Sequence, residues 1–299
     1  MRHIIESQQF DQAFLSSLFR LADEAETTRG GCLSGRIMAT LFYEPSTRTR
    51  LSFESAMLRL GGNVITTENA REFSSAIKGE TLEDSIRVIS AYADVVVLRH
   101  FEEGASKRAA EVSSAPVINA GDGPGQHPTQ ALLDLYTIRR ELGRTDHLTI
   151  AFVGDLKHGR TIRSLAYLLG KSRGVQIRFV SPAGLRVGRD IAEYLERHQV
   201  AYSEGSSLED VLPDIDVLYA TRIQQERFGD PSEYEQCKGC YQISAAIVER
   251  MKTEAVVMHP LPRVDEILPD VDASPRAAYF RQARYGLLVR MALLKAILQ

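Results

Sequence analysis

The chain has 299 residues, 44% of them hydrophobic and 25% charged, with a formal net charge of −3. That make-up suits an ordinary globular protein of about two domains, at roughly 150 residues each. It carries no overall basic field, so nucleic acid and acidic membrane surfaces are poor partners, and any anion site has to be built locally.

The first segment, "MRHIIESQQFDQAFLSSLF", lacks the apolar core of a secretion signal, and no run of about 18 apolar residues follows it anywhere. Three cysteines, Cys32, Cys237 and Cys240, are an odd number in a large chain and point to a reducing compartment, read here as the cytoplasm. Cys237-Lys-Gly-Cys240 has zinc-like spacing but lacks the two further ligands of a structural site, so it reads as two loop cysteines.

Apolar runs of strand length occur at 36–43, 94–100, 116–120, 148–154, 175–181, 216–222 and 255–260, separated by amphipathic stretches. Strands alternating with helices predict parallel sheets covered on both faces, an α/β fold of two doubly wound domains. In such folds ligands gather beyond the carboxyl ends of the strands. After the first run, Pro45 and Ser46 mark the start of a helix whose apolar stripe is Phe53, Ala56, Met57 and Leu60, ending at Gly61-Gly62. Its first turn offers backbone N–H groups from Thr47, Arg48 and Thr49 together with hydroxyls and the helix dipole, which makes an anion site. Arg48 and Arg50 lie two apart and diverge on a helix. Arg50 reaches Glu54 one turn on, leaving Arg48 as the functional candidate.

Farther along, "HPTQALLDLYTIRREL" predicts a helix with a broad apolar face of Leu132, Leu133, Leu135, Tyr136 and Ile138, suited to packing between two halves. The expected domains are therefore 1–144 and 145–299. A last apolar helix at 285–298 is free to pack back onto either.

Six segments stand in one order: "STRTR" at 46–50, "SSAIKGET" at 74–81, "HPTQ" at 127–130, "VGDLKHGRT" at 153–161, "TRIQQER" at 221–227 and "HPLPRVDEI" at 259–267. In this the chain resembles the aspartate/ornithine carbamoyltransferases over residues 42–285. Ornithine-specific members typically carry HPCQ and H-C-L-P, where this chain has Thr129 and Pro260. Arg222 fits an anionic acceptor and would repel the cation of ornithine. The resemblance thus implies transfer of the carbamoyl group of carbamoyl phosphate to L-aspartate, in de novo pyrimidine biosynthesis. A carbamoyltransferase for another acceptor, and a carbamoyl-phosphate-binding subunit without turnover, stand beside it as alternatives.

By the same resemblance, Ser46, Thr47, Arg48 and Thr49 hold the phosphate, and Arg99 reaches phosphate and carbonyl oxygen. His127 donates to the carbamoyl carbonyl and Gln130 binds the carbamoyl nitrogen. Arg160 and Arg222 supply planar forks for the two carboxylates of aspartate, with Gln224 nearby. The backbone of Pro260, Leu261 and Pro262 presents carbonyls to the amino groups of both substrates. Ser74 and Lys78 are implied to reach the site of a neighbouring subunit in a homotrimer; Ile77 stands where some relatives carry a second basic residue. No metal and no organic cofactor is implied, and a regulatory chain or a dihydroorotase partner is compatible with such trimers.

Overall fold

A computed structural model of the chain describes residues 2–27, 30–70 and 79–299. The backbone divides into two compact units, Met1–Leu133 with Arg284–Gln299, and Asp134–Ala283. The chain passes from one to the other within the helices Pro128–Leu142 and Tyr279–Leu298.

In the first unit, strands β1 (Ile37–Phe42), β2 (Asn63–Glu68), β3 (Val95–His100) and β4 (Val117–Asp122) form a parallel sheet in the order β2-β1-β3-β4. All six residues of β4 and all but one of β1 are buried, as parallel strands covered on both faces must be. The helix Thr47–Arg59 leaves β1 and seats Phe53, Ala56, Met57 and the following Leu60 completely out of solvent, so the expected stripe is the packing face. The helix Ala105–Val112 leaves β3, and Ala105 and Ala109 pack into the core with Leu82, Ile86, Val96, Leu98 and Val117.

The second unit has five strands, β5 (Thr149–Val153), β6 (Gln176–Val180), β7 (Ala201–Gly205), β8 (Val217–Ala220) and β9 (Val256–Met258), all parallel in the order β7-β6-β5-β8-β9. Its core includes Val153, Leu212, Leu218, Ile243, Val257 and Tyr279. The helix Arg160–Leu169 leaves β5, and seven of its ten residues are buried, from Ile162 to Leu169.

Seven strands coincide with the apolar runs of the sequence. The strands β2 and β7 do not: each is an outermost strand without a fully buried residue, whereas the opposite margins, β4 and β9, are bridged by Ile4 and Ala277 and stay buried. The last helix begins at Tyr279 rather than near 285, and its Arg284–Gln299 portion belongs to the first unit.

Each sheet reverses its direction of growth once. From β1 the chain moves outward to β2 and then returns to β3 on the other side; from β5 it moves out to β6 and β7 and returns to β8. The loops leaving the carboxyl ends of β1 and β3, and of β5 and β8, therefore turn to opposite faces and leave a crevice between them.

Gly154 ends β5 at φ +118°, and a Cβ there would run into the Thr221 carbonyl oxygen at the end of β8. Only glycine allows this approach. Gly154→Ala is expected to lower the unfolding free energy by about 2 kcal/mol or more, from backbone strain plus the clash, measured by urea denaturation.

Candidate active site

In the first unit the site residues come from the carboxyl ends of three adjacent strands. Ser46 precedes the helix Thr47–Arg59 in extended backbone, and its hydroxyl takes no part in capping. The first bond of the helix ladder runs from the Arg50 N–H to the Ser46 carbonyl at 3.1 Å, so the N–H groups of Thr47, Arg48 and Thr49 point beyond the helix end. Thr49 is buried. Arg50 turns away as expected, to Glu54 at 3.4 Å, and also to Glu68 on β2 at 2.7 Å. Glu54 accepts in addition from the hydroxyls of Thr40 and Thr66 at 3.1 and 2.8 Å, so this guanidinium braces the helix against β1 and β2.

Arg99 is the fifth residue of β3. Its guanidinium meets the Glu44 carboxylate at 2.9 Å and donates to the Ala120 carbonyl at 3.3 Å, spanning the ends of β1 and β4. His127 follows β4 and is 4% exposed; its Nδ1 lies 3.4 Å from the Thr129 hydroxyl, and Gln130 is buried one turn on. Asp122 closes β4 and ties the loops together, accepting from Gly104 N–H at 3.1 Å and Gln126 N–H at 2.8 Å.

The second unit repeats the device. Asp155, just past β5 and fully buried, accepts from the His158 N–H through Oδ1 at 2.9 Å, while its Oδ2 accepts from the Gln224 N–H at 3.4 Å and lies 3.1 Å from His158 Nδ1. The Gln224 amide donates in turn to the His158 carbonyl at 3.2 Å. This clasp joins the loop that delivers Arg160, first residue of its helix, to the loop that delivers Arg222, two residues past β8. Arg222 lines a pocket of about 170 Å³ with Gly154, Thr221, Tyr241, Asp265 and Glu266.

Past β9, Leu261 takes a left-handed backbone (φ 55°), and its peptide bond to Pro262 is cis. Its N–H donates to His259 Nδ1 at 2.8 Å, while His259 Nε2 meets Glu266 at 2.7 Å. Burial raises the pKa of the Glu266 carboxyl, but the His259 bond and backbone N–H groups outweigh it and hold the group below its ordinary value of 4.5.

Cys237 and Cys240 flank a turn closed by the Cys240 N–H to the Cys237 carbonyl at 3.2 Å. Among the described residues no group of three or more His, Cys, Asp or Glu side chains is arranged to hold a metal. Ser74 and Lys78 lie outside the described residues. No helix among the described residues is long and apolar enough to cross a membrane. Sequence reasoning passed over Glu44, Asp122, Asp155, His259 and Glu266, although the last three stand inside quoted motifs. Glu44 meets the Arg99 guanidinium, and the roles of the other four depend on backbone N–H groups that motif spelling does not display.

Two parallel sheets, each opening at its switch point onto arginines and helix N-termini, define an α/β protein built around small anionic ligands. Comparison with known proteins makes this specific. The carbamoyl-P binding domain of the aspartate/ornithine carbamoyltransferases matches residues 2–140, and their Asp/Orn binding domain matches residues 146–297. The chain is 59% identical over 301 residues to aspartate carbamoyltransferase 1, chloroplastic, of Pisum sativum, covering 99% of this chain and 78% of that one. It is 52% identical to the aspartate carbamoyltransferase catalytic subunit of Methanopyrus kandleri, covering 99% of this chain and 97% of that one. Among solved structures, aspartate transcarbamoylase from Trypanosoma cruzi in complex with carbamoyl phosphate and aspartate superposes with a TM-score of 0.95 at 42% identity, covering 100% and 97% of the two chains. The catalytic subunit from M. jannaschii gives 0.92 at 53%, covering 99% and 98%. This chain belongs to the aspartate/ornithine carbamoyltransferase family.

The Glu266 arrangement carries a pH signature. A carboxyl held below its ordinary value adds stability that is complete above that value and is lost as pH falls through the folded one. Glu266→Gln removes this titration, so below pH 4.5 the unfolding free energy should fall less steeply than in the unaltered protein. The slopes should differ by up to about 1.4 kcal/mol per pH unit, read by urea denaturation at stepped pH.

Proposed function

We infer that the chain is the catalytic chain of an aspartate carbamoyltransferase, forming N-carbamoyl-L-aspartate and phosphate from carbamoyl phosphate and L-aspartate. The observation that carries this reading is the pair of arginines delivered by one clasp at the switch point of the second sheet, Arg160 after β5 and Arg222 after β8. Two planar guanidinium forks suit a dicarboxylate and exclude a cationic acceptor.

Carbamoyl phosphate is an activated acyl donor, so no covalent nucleophile is required. The aspartate amine attacks the carbamoyl carbon, charge collects on the carbonyl oxygen, and the C–O bond to phosphate breaks while the amine proton passes to the departing phosphate. In this reading Ser46, Thr47, Arg48 and Thr49 hold the phosphate at the helix N-terminus, as its outward N–H groups favour. Thr49, Arg99 and His127 stabilise the oxyanion, Gln130 takes the carbamoyl nitrogen, and Gln224 and the Leu261 carbonyl orient the substrates. Ser74 and Lys78 come from the adjacent chain of a homotrimer, a reading that rests on the likeness of "SSAIKGET" to the family. We place the reaction in the cytoplasm and in pyrimidine biosynthesis; the three free cysteines suit a reducing compartment. The native mass of the complex from its source distinguishes a bare trimer from one joined by a regulatory chain or a dihydroorotase.

The deciding experiment is a product assay with carbamoyl phosphate and either amino acid: L-aspartate should yield carbamoyl-aspartate, and ornithine no citrulline. Faster turnover of ornithine overturns the reading.

The shared site has its own test. His127→Ala should cut kcat by roughly 10²- to 10³-fold, the usual cost of one oxyanion donor, and Lys78→Ala should also give a nearly inactive trimer. When the two variants are mixed and reassembled, a site is intact where one chain supplies His127 and its neighbour Lys78. Random equal mixing should then restore about one quarter of the sites. Hybrids that stay at the level of the parent variants, with chain exchange verified by mass, refute the arrangement.

A further inference from the structure

Leu261 is held in a backbone conformation that a branched side chain rarely adopts, and such positions persist only where their surroundings over-determine them. Here the surroundings form a continuous buried chain within the second unit. Tyr219 on β8 donates to Asp134 at 2.8 Å, and the other Asp134 oxygen accepts from the Gln282 amide at 2.6 Å. The Gln282 oxygen accepts from the His259 N–H at 3.0 Å, fixing the backbone where β9 ends. The far side of the His259 ring meets Glu266, whose second oxygen accepts from the N–H groups of Val264 and Asp265 at 3.0 and 3.1 Å. Tyr219, Asp134, Gln282 and His259 are each no more than 1% exposed.

The ring's protonation follows from its partners. A backbone N–H only donates, so Nδ1, which receives the Leu261 N–H, must be an acceptor. The ring proton therefore sits on Nε2 and points at the Glu266 carboxylate. A carboxylate orienting a histidine through one nitrogen, so that the other performs a defined task, is a recurrent device of functional sites. The task here is to hold one backbone N–H.

We propose that His259 is a positioning residue of the transfer reaction: locked by Gln282 and Glu266, its Nδ1 sets the Leu261 backbone so that the loop carbonyls meet the amino group of the acceptor. This rests on the transferase reading above and extends it to a residue that touches neither substrate. The acceptor's amine must approach with its lone pair aimed at the carbamoyl carbon, and the carbonyls that orient it act only if their own backbone is fixed. A buried histidine serving packing alone has no need of an acceptor at Nδ1.

Two conservative variants separate the halves of the ring. In His259→Asn the amide oxygen stands in for Nδ1 and accepts from the N–H two residues on, a natural turn for asparagine, while the Glu266 contact is lost. In His259→Gln the amide reaches the Nε2 position and donates to Glu266, leaving the Leu261 N–H unmatched. His259→Gln should raise the aspartate KM about tenfold, what one lost buried hydrogen bond amounts to, with carbamoyl phosphate affinity retained. For His259→Asn the rise should stay below about threefold. Equal KM values for the two variants, the reverse order, or losses that follow the urea midpoint rather than the variant's chemistry overturn the proposal.

Should His259→Gln fail to fold, Glu266→Gln decides: its single amide oxygen cannot serve both the His259 Nε2–H and the Val264 and Asp265 N–H groups, so the clasp between ring and loop loosens on one side or the other, and an unchanged aspartate KM refutes the role. The unaltered protein run alongside keeps the two readings apart. If it makes no carbamoyl-aspartate, the transferase reading falls and takes this one with it; if it turns over normally while the variants are indifferent, only the positioning role falls.

Discussion

The constraint on which the rest depends is the reversal of strand order within each parallel sheet. Parallel strands need crossovers, crossovers must lie on a face, and where the order reverses the crossovers diverge. Between β1 and β3, and again between β5 and β8, the carboxyl ends of the strands are left uncovered. Every described residue assigned to carbamoyl phosphate in the first unit lies on or just past the end of β1, β3 or β4, and those assigned to aspartate in the second lie just past β5, β8 or β9. The topology fixes where a small anion can be held before any particular side chain is chosen.

A divergence of loops is not yet a site, because loops left to themselves sample many conformations. Each unit meets this with a buried aspartate at a strand end. Asp122 and Asp155 each accept N–H groups from their own loop and from the loop of another strand. A carboxylate offers about four acceptor positions, so a single side chain joins two segments and satisfies backbone donors that the absence of regular structure leaves over.

Much of this was legible in the sequence, and the remainder was hidden for identifiable reasons. Runs such as "LTIAFVG" and "DVVVLRH" give strands because both faces of a central parallel strand are covered, and Phe53, Ala56, Met57 and Leu60 give a helix face because their spacing suits a period of 3.6. Arg50 was separable from Arg48 by helix geometry alone, yet its contact with Glu68 was not, since it depends on β2 lying beside β1. Asp155 and Glu266 escaped notice because an acidic residue in a loop is normally solvated; what distinguishes them is a set of N–H partners that exists only after folding. The candidate residues themselves were found through their order along the chain more than through local chemistry, as a lone His-Pro or Lys in a polar loop carries little information.

The two strands that the sequence concealed, β2 and β7, bear on how the protein stays dispersed. The opposite margins of the sheets are flanked: Ile4 bridges to Ile118 on β4, and Ala277 bridges to Val257 on β9. β2 and β7 are the outermost members on the other side, and their segments "NVITTE" and "AYSEG" are short, threonine- or serine-bearing and acidic at or near the carboxyl end. An uncapped margin of apolar strand is a template on which a stray chain can accrete, and hydroxyls with charge are what blunt it. The polarity that hides these strands from pattern reading therefore makes them poor seeds for aggregation, and an apolar replacement of Thr67 or Ser203 would expose that hazard without touching the chemistry.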